Sequence, residues 1–243
     1  MALTGLTFMT TGWRSEGAQH QGGRSYQEDS WATRTLADGS LLAIVCDGMG
    51  GHAGGATASR VAVEAFVQAI EQGGALADGL KEANDAVGRT AAGRSELSGM
   101  GTTLVAVLVR GDEVRWISVG DSPLYLAASG VLERINEDHS MAPQIDALVK
   151  RGMLTAEEAE NHPGRHTLRE AVMGQPLSLT DKGSRRLGPD VKLLLCSDGV
   201  ETLREPEIAA SAIRPAAALV EAVLAVGKEH QDNVTVVKLE RAR

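Results

Sequence analysis

Four apolar runs of this chain end beside an aspartate, and this arrangement limits what the chain can fold into. The four are Asp47 after 41–46, Asp121 after 114–120, Asp198 after 191–197, and Asp232 just before 233–237. Each run has the length and composition of a buried strand. Carboxylates gathered where buried strands end repel one another and need a counter-charge. Their oxygens suit hard divalent cations such as Mg²⁺ or Mn²⁺, so the pattern predicts a metal-dependent enzyme.

Hydrophobic periodicity and turn residues predict the order of the elements. Strands are expected at 3–13, 30–35, 40–46, 102–110, 113–119, 123–128, 177–181, 191–196 and 233–239, and helices at 55–72, 76–94, 205–212 and 215–228. Asp38-Gly39 predicts a hairpin turn between the second and third strands. Strand runs alternating with helix pairs favour an α+β fold with antiparallel sheets. With no repeat or obvious linker, we expect a single domain over 1–243.

Composition excludes several classes of function. The chain has 243 residues, 43% of them hydrophobic, which is enough for one sizeable core. Its formal charge of -8, without a stripe of Lys and Arg, argues against nucleic acid as the main ligand. The sequence has neither an apolar run long enough to span a membrane nor a signal-peptide core, so a cytoplasmic location is expected. Two cysteines, Cys46 and Cys196, fit a reducing compartment.

The segment after the run 41–46 is unusually rich in glycine and has two interpretations. Gly48-x-Gly50-x-x-Ala53 matches a loose dinucleotide fingerprint, which would make the chain a nucleotide-binding oxidoreductase. Asp47, however, would repel a pyrophosphate unless a metal intervened. A metal-binding loop with Asp47 as a ligand accounts for the acid, the glycines and the strand together.

A second acidic segment lies near the N-terminus, where Arg24 is followed by Glu28 and Asp29. A guanidinium suits bidentate recognition of a phosphoryl group. The alternative is a surface ion pair that contributes little to stability. Asp198-Gly199 also has a plainer interpretation, because Asp-Gly is first of all a turn signal. His162 and His166 are expected to lie at the surface.

Taken together, these segments resemble the metal-dependent serine/threonine phosphatases of the protein phosphatase 2C (PPM) family, in its bacterial form. The resemblance covers nearly the whole chain, and the motifs occur in the order of the family. They are Gly23-Arg24-x-x-x-Glu28-Asp29, Val45-x-Asp47-Gly48-Met49-Gly50-Gly51-His52, Gly101-Thr102-Thr103-Leu104, Val119-Gly120-Asp121-Ser122, Asp138-His139-Ser140, Cys196-Ser197-Asp198-Gly199 and Asp232-Asn233-Val234-Thr235.

The resemblance implies a four-layer αββα sandwich, with two antiparallel sheets flanked by helices, and a centre of two Mn²⁺ or Mg²⁺ ions. The resemblance implies that Asp47 bridges the two ions, that Asp198 and Asp232 hold the first ion, and that the Gly48 carbonyl holds the second. It also implies that Asp121, with Asp198, supplies a weaker third metal position. Glu28 and Asp29 would orient metal-bound waters, and Arg24 would bind the substrate phosphate.

The resemblance also implies hydrolysis of phosphoserine and phosphothreonine in proteins by a metal-activated water, in opposition to a bacterial serine/threonine kinase. Residues 140–173 would form a variable flap beside the site, and a monomer is expected. Met49 stands where animal members carry a histidine proposed as the general acid; His52 could donate a proton or cap the next helix. The alternative function is a catalytically silent module of the same fold that binds phosphoproteins.

Overall fold

The computed structural model of this chain describes residues 7–9, 12–50 and 53–242. Within these ranges the strands are β1 (Thr7–Met9), β2 (Trp13–His20), β3 (Asp29–Thr35), β4 (Leu41–Met49), β5 (Gly101–Thr102), β6 (Leu104–Arg110), β7 (Glu113–Val119), β8 (Leu124–Ala128), β9 (Val131–Arg134), β10 (Asp181–Arg186), β11 (Lys192–Cys196) and β12 (Val234–Arg241). The helices are α1 (Ala53–Glu71), α2 (Leu76–Ala91), α3 (Ala142–Lys150), α4 (Ala156–Glu160), α5 (Glu205–Ser211) and α6 (Ala216–Ala225).

The strands form two sheets in which every pair of neighbours is antiparallel. One sheet has the order β1-β2-β12-β11-β8-β9, and the other has the order β10-β7-β6-β4-β3, with β5 paired to β4. The predicted hairpin between β3 and β4 is present, and Gly39 adopts a positive φ of 79° within it. Glycine is suited to this turn because it takes such a backbone conformation without strain.

Alternation along β4 explains how the layers stack. Leu41, Ala43 and Val45 pack between the two sheets against β11 and β12. The residues between them, such as Ile44, face the opposite way and pack against α1 and α2. On the far side, α5 and α6 cover the outer face of the other sheet. The order is therefore helices, sheet, sheet, helices, and the predicted four-layer sandwich is confirmed.

The sequence prediction missed β2 and β9 and placed β10 too early in the chain, because these strands carry many polar side chains. Strand β10 was expected at 177–181 but lies at Asp181–Arg186, where an edge strand keeps most of its side chains in solvent. Strand β9 is also an edge strand, and its apolar content is too low to signal a strand. Strand β2 carries Arg14 and Glu16 among its buried residues. Part of the first predicted strand, 3–13, lies outside the described residues.

The strand directions around the glycine-rich turn bear on the dinucleotide alternative. The dinucleotide alternative requires a parallel βαβ unit at the glycine-rich turn, but β4 runs antiparallel to both β3 and β6. The structure therefore does not support an oxidoreductase. In the part of the chain that the structure describes, no helix combines the length and the apolar character needed to cross a membrane.

Candidate metal centre

A cavity of about 610 Å³ opens at one end of the sandwich, where the two sheets separate. Its lining includes seven of the eight residues predicted to form the site, drawn from stretches of chain far apart in sequence. They are Arg24, Glu28, Asp47, Gly48, Asp121, Asp198 and Asp232. The structure thus brings these residues together, as the hypothesis of a shared site requires.

Asp47 reaches the cavity because of its position in β4. It continues the series Leu41, Ala43 and Val45, whose side chains point between the sheets. Strand β4 extends to Met49, three residues further than predicted, so Asp47 is held within a hydrogen-bonded ladder rather than in a loop. Its N–H donates to Thr103 Oγ1 at 3.0 Å, and its carbonyl accepts from the Thr103 N–H at 2.9 Å. Thr103 therefore fixes the backbone of Asp47 through both its N–H and its carbonyl.

Gly48 lies where the chain is too crowded for a side chain. A Cβ added there would lie 2.2 Å from the Gly55 carbonyl oxygen and 2.5 Å from that of Glu28. The Gly48 N–H donates to the same Glu28 oxygen at 3.2 Å. This close approach joins β4 to the first turn of α1 and to the acidic segment before β3, which places Glu28 beside the cavity.

Asp29 is the one predicted site residue that does not line the cavity. It pairs with Asp47 across β3 and β4, and its buried carboxylate accepts hydrogen bonds from Ser197 Oγ at 2.8 Å and Thr235 Oγ1 at 2.6 Å. These partners belong to the other sheet, so Asp29 ties the two sheets together directly behind Asp47. Its second oxygen, Oδ1, is buried without a hydrogen-bond partner among the described residues.

Asp198 and Asp232 enter from the end of the second sheet. Asp198 opens a 3₁₀ turn, Asp198–Thr202, directly after β11, and Asp232 precedes β12. Close packing holds these turns together, since a Cβ at Gly199 would lie 2.0 Å from the Asn233 carbonyl oxygen. Arg24 donates to Asp232 Oδ2 at 2.6 Å from the half-exposed rim. Arg24 therefore already contacts an acid of the site.

The electrostatics of the cavity are those of uncompensated acids. Burial, followed by repulsion from Asp29, Asp198 and Asp121, raises the pKa of Asp47 well above its ordinary value. Burial and nearby carboxylates also raise the pKa of Asp121 to about 8 and that of Asp29 to about 7. The pKa of Asp198 is raised for the same reasons, although a hydrogen bond from Asp47 opposes the rise.

The cavity acids do not yet converge on a common point. Among the described residues, no three His, Cys, Asp or Glu side chains are grouped so that they could hold a metal ion as they stand. Side-chain rotation about a fixed backbone would be needed to direct three oxygens at one ion.

The remaining wall of the cavity comes from the predicted flap, but sequence reasoning did not identify which of its residues reach the site. His166, Thr167, Arg169 and Glu170 line the cavity; His166 is exposed, as expected, but its place in the cavity wall was not foreseen. An isolated bridge from Thr102 to Val172 joins this stretch to β5, and a second bridge, from Ser140 to Leu168, lies within the stretch itself. These pairings are long-range, so no local pattern in 140–173 could have indicated them.

The side chain at position 49 bears on which residue could donate a proton to the leaving group. Met49 lines the cavity at the position where animal members of the resembled family carry a histidine. A thioether cannot donate a proton, so this residue is not a general acid. The expectation for His52 falls outside the described residues.

Comparison with known proteins agrees with this geometry. Residues 16–231 match the family described as protein phosphatase 2C. The serine/threonine protein phosphatase PstP of Mycobacterium tuberculosis is 36% identical over 230 residues, which cover 88% of this chain and 42% of PstP. The serine/threonine phosphatase stp of Listeria monocytogenes is 32% identical over 233 residues, covering 90% of this chain and 91% of the relative.

A solved structure extends the likeness to the fold. The catalytic domain of PstP, crystallised with two manganese ions, superposes with a TM-score of 0.79 at 29% identity, covering 96% of this chain and 99% of that one. The sequence match spans most of the chain, and the architecture agrees throughout. This chain belongs to the protein phosphatase 2C family, whose members depend on metal ions.

Proposed function

We propose that this chain is a phosphoprotein phosphatase that hydrolyses phosphoserine and phosphothreonine with the help of divalent metal ions. The observation that carries the proposal is that Asp47, Asp121, Asp198 and Asp232, from distant stretches of chain, all line one cavity. Buried carboxylates with raised pKa values are costly to keep ionised unless a cation binds among them. The relatives named as serine/threonine phosphatases support the reaction class.

The donor set fits a hard divalent cation. All candidate side-chain ligands offer carboxylate oxygens, and the Gly48 carbonyl adds a neutral one. In this proposal Asp47 would contribute to both ions, Asp198 and Asp232 would hold the first, Gly48 would hold the second, and Asp121 with Asp198 would supply a weaker third position. Bound divalent ions lower the pKa of water and offset charge on a phosphoryl group. The manganese in the PstP catalytic domain favours Mn²⁺, with Mg²⁺ as the second candidate.

Arg24 is proposed to bind the substrate phosphate. It lies on the cavity rim, and its side chain is about half exposed, so a substrate can reach its free donors. Its contact with Asp232 orients the guanidinium toward the site. A planar guanidinium can hold two phosphoryl oxygens at once, and it favours the transition state, in which charge develops on those oxygens.

Glu28 is proposed to act on water rather than on the substrate, and Asp29 is proposed to support the site from behind Asp47. Glu28 lines the cavity, and its backbone N–H donates to Asn233 Oδ1 at 2.7 Å, which fixes the segment against β12. Asp29 lies behind Asp47 and holds the sheets in register through Ser197 and Thr235. Its influence on the cavity is proposed to pass through Asp47, its neighbour on β4.

The biological setting is proposed from the relatives. A serine/threonine phosphatase acts on phosphorylated proteins, and a serine/threonine kinase would supply them. We also propose that the chain works as one catalytic domain and as a monomer, with 140–173 as a flap that contacts the protein substrate. The silent alternative would be favoured by a missing ligand, but all four aspartates are present.

Hydrolysis of p-nitrophenyl phosphate and of a phosphothreonine peptide tests this proposal. We expect turnover that needs Mn²⁺, is removed by a chelator and is restored when Mn²⁺ is returned. Asp47→Asn is expected to abolish it, whereas Asp190→Asn, an exposed aspartate outside the cavity, is expected to leave it unchanged. Activity that persists both in chelator and in Asp47→Asn would rule out the metal-dependent reaction. Phosphopeptide binding without release of phosphate would favour the silent module.

A further inference from the structure

We propose that Arg134 is a positioning residue that fixes Asp121 at the edge of the metal cavity. This inference goes beyond the proposed function and rests on it only for the role of Asp121. Arg134 is the last residue of β9, an edge strand paired with β8. Neither Arg134 nor β9 was predicted from the sequence. Its side chain is only one-fifth exposed.

The contacts of the Arg134 guanidinium centre on Asp121 and its acidic neighbours. Arg134 Nη2 donates to the Asp121 carbonyl oxygen at 2.6 Å. Its Nη1 lies 3.4 Å from both Asp138 Oδ2 and Glu201 Oε1. Glu201 also accepts from the Tyr125 hydroxyl at 3.1 Å. One guanidinium thus joins the cavity loop, the segment before the flap and the 3₁₀ turn that starts at Asp198.

Other contacts hold the residue just before Asp121, so the position of Asp121 itself depends on its contact with Arg134. Gly120 has a φ of 99°, and a Cβ there would lie 2.7 Å from the Thr103 side chain. Its N–H donates to His139 Nδ1, and its carbonyl accepts from the His139 N–H. These contacts hold the residue before Asp121, and Arg134 holds the carbonyl of Asp121 itself. Together they determine where the carboxylate enters the cavity.

Two effects of removing Arg134 have opposite signs, and the structure decides between them. Loss of a positive charge would make the cavity more attractive to cations, whereas loss of the anchor would let Asp121 move away. The charge of Arg134 is already offset by Asp138 and Glu201, whose carboxylate oxygens lie 3.4 Å from its Nη1. A charge-assisted hydrogen bond to a partly buried carbonyl is among the stronger contacts in proteins. The positional effect should dominate, and Mn²⁺ should bind less tightly without Arg134.

A mutant cycle read by calorimetric Mn²⁺ titration tests this role. The proteins are the wild type, Asp121→Asn, Arg134→Gln and the double variant. We expect Arg134→Gln to weaken the Mn²⁺ binding that depends on Asp121 by about tenfold. In the Asp121→Asn background the same substitution should cause no further loss, because Arg134 acts through Asp121. Arg134→Lys, which keeps the charge but loses the fork of donors, should recover only part of the affinity.

Controls separate this role from general damage to the fold. Arg185→Gln removes an exposed ion pair to Glu133, the neighbour of Arg134 on β9, and should leave Mn²⁺ binding unchanged. Thermal unfolding in chelator identifies variants that are merely misfolded. Additive losses in the double variant, unchanged or tighter binding in Arg134→Gln, or full binding in Asp121→Asn would each overturn the proposal. An inactive wild type would instead refute the proposed function, and the titration would still judge Arg134.

Discussion

Two groups of charged side chains lie partly buried in this protein, and they differ in whether their charges are balanced. Around Lys238, the ammonium lies 2.9 Å from Glu16 Oε1 and 3.5 Å from Glu240 Oε1, and it donates to the Arg214 carbonyl at 2.8 Å. Arg14 also contacts Glu240. Two cations and two anions thus satisfy one another.

The cavity at the other end of β12 has no such balance. Asp47, Asp121, Asp198 and Asp232 line it with Arg24 at the rim, and burial raises the pKa of the first three. A balanced cluster can stabilise the fold without any ligand, but an unbalanced one costs stability until a cation arrives. We therefore assign the Lys238 cluster to the fold and the aspartate cluster to function.

The largest expected difference between the two clusters is in the effect of Asp47→Asn. Loss of a shared metal ligand should lower phosphatase turnover by about 10³-fold or more. In chelator the same substitution should leave the melting temperature unchanged or raise it, because it removes a repulsive charge. Steady-state kinetics and thermal unfolding monitored by circular dichroism measure the two effects. A large loss of stability in chelator would show that Asp47 serves the fold.

The pH dependence of stability should also reveal the unbalanced cluster. The folded-state pKa values of Asp29 and Asp121 are about 7 and about 8, against an ordinary value of 3.8. The folded protein therefore binds more protons than the unfolded chain between pH 4 and 8. The stability of the metal-free protein should fall as pH rises from 5 to 8, by at most about 1.4 kcal/mol per unit for each group.

Unfolding by urea at several pH values in chelator checks this slope, and a second series with Mn²⁺ sharpens it. Bound Mn²⁺ favours the ionised carboxylates, so the fall between pH 5 and 8 should become smaller or disappear. Stability that rises with pH across this window in chelator would contradict the account.

In the balanced cluster, a substitution should lower stability and leave turnover unchanged, the reverse of the effect expected for Asp47→Asn. Lys238→Met leaves Glu16 and Glu240 without their buried partner and should reduce the free energy of unfolding by about 3 kcal/mol. Glu16→Gln in the same background should recover part of the loss. Turnover per folded molecule should not change, because none of these residues lines the cavity. Urea unfolding combined with active-site titration measures both, and a specific loss of turnover would break the distinction.

The smallest expected effect on activity is that of replacing Arg24, the half-exposed cation at the rim of the aspartate cluster. Arg24→Ala should lower kcat/KM for a phosphopeptide by about tenfold through lost phosphate contacts. Arg60→Ala, which removes only an exposed pair with Glu64, is the matched control. If Arg24 were a surface ion pair and nothing more, the two variants would have the same kinetics.

The antiparallel strands and the acids at their ends could be predicted from local patterns for a shared physical reason, whereas the four-layer sandwich was implied by the family resemblance. Apolar runs such as the one before Asp47 indicate buried strands, and an acid at the end of a buried strand can be recognised locally. Strand β10 was predicted a few residues too early because an edge strand needs no apolar face to mark its position. The position of His166 in the cavity wall and the contact of Arg134 with the Asp121 carbonyl escaped prediction because both depend on tertiary folding. Such contacts have no local pattern in the sequence.

Anomalous diffraction from a crystal soaked in Mn²⁺ tests the central claim most directly. The account predicts two Mn²⁺ peaks in the cavity, with Asp47 oxygens touching both and Asp198 and Asp232 completing the first. The Lys238 cluster should show no ion. Absence of Mn²⁺ from the cavity, or Mn²⁺ bound without Asp47, would contradict it.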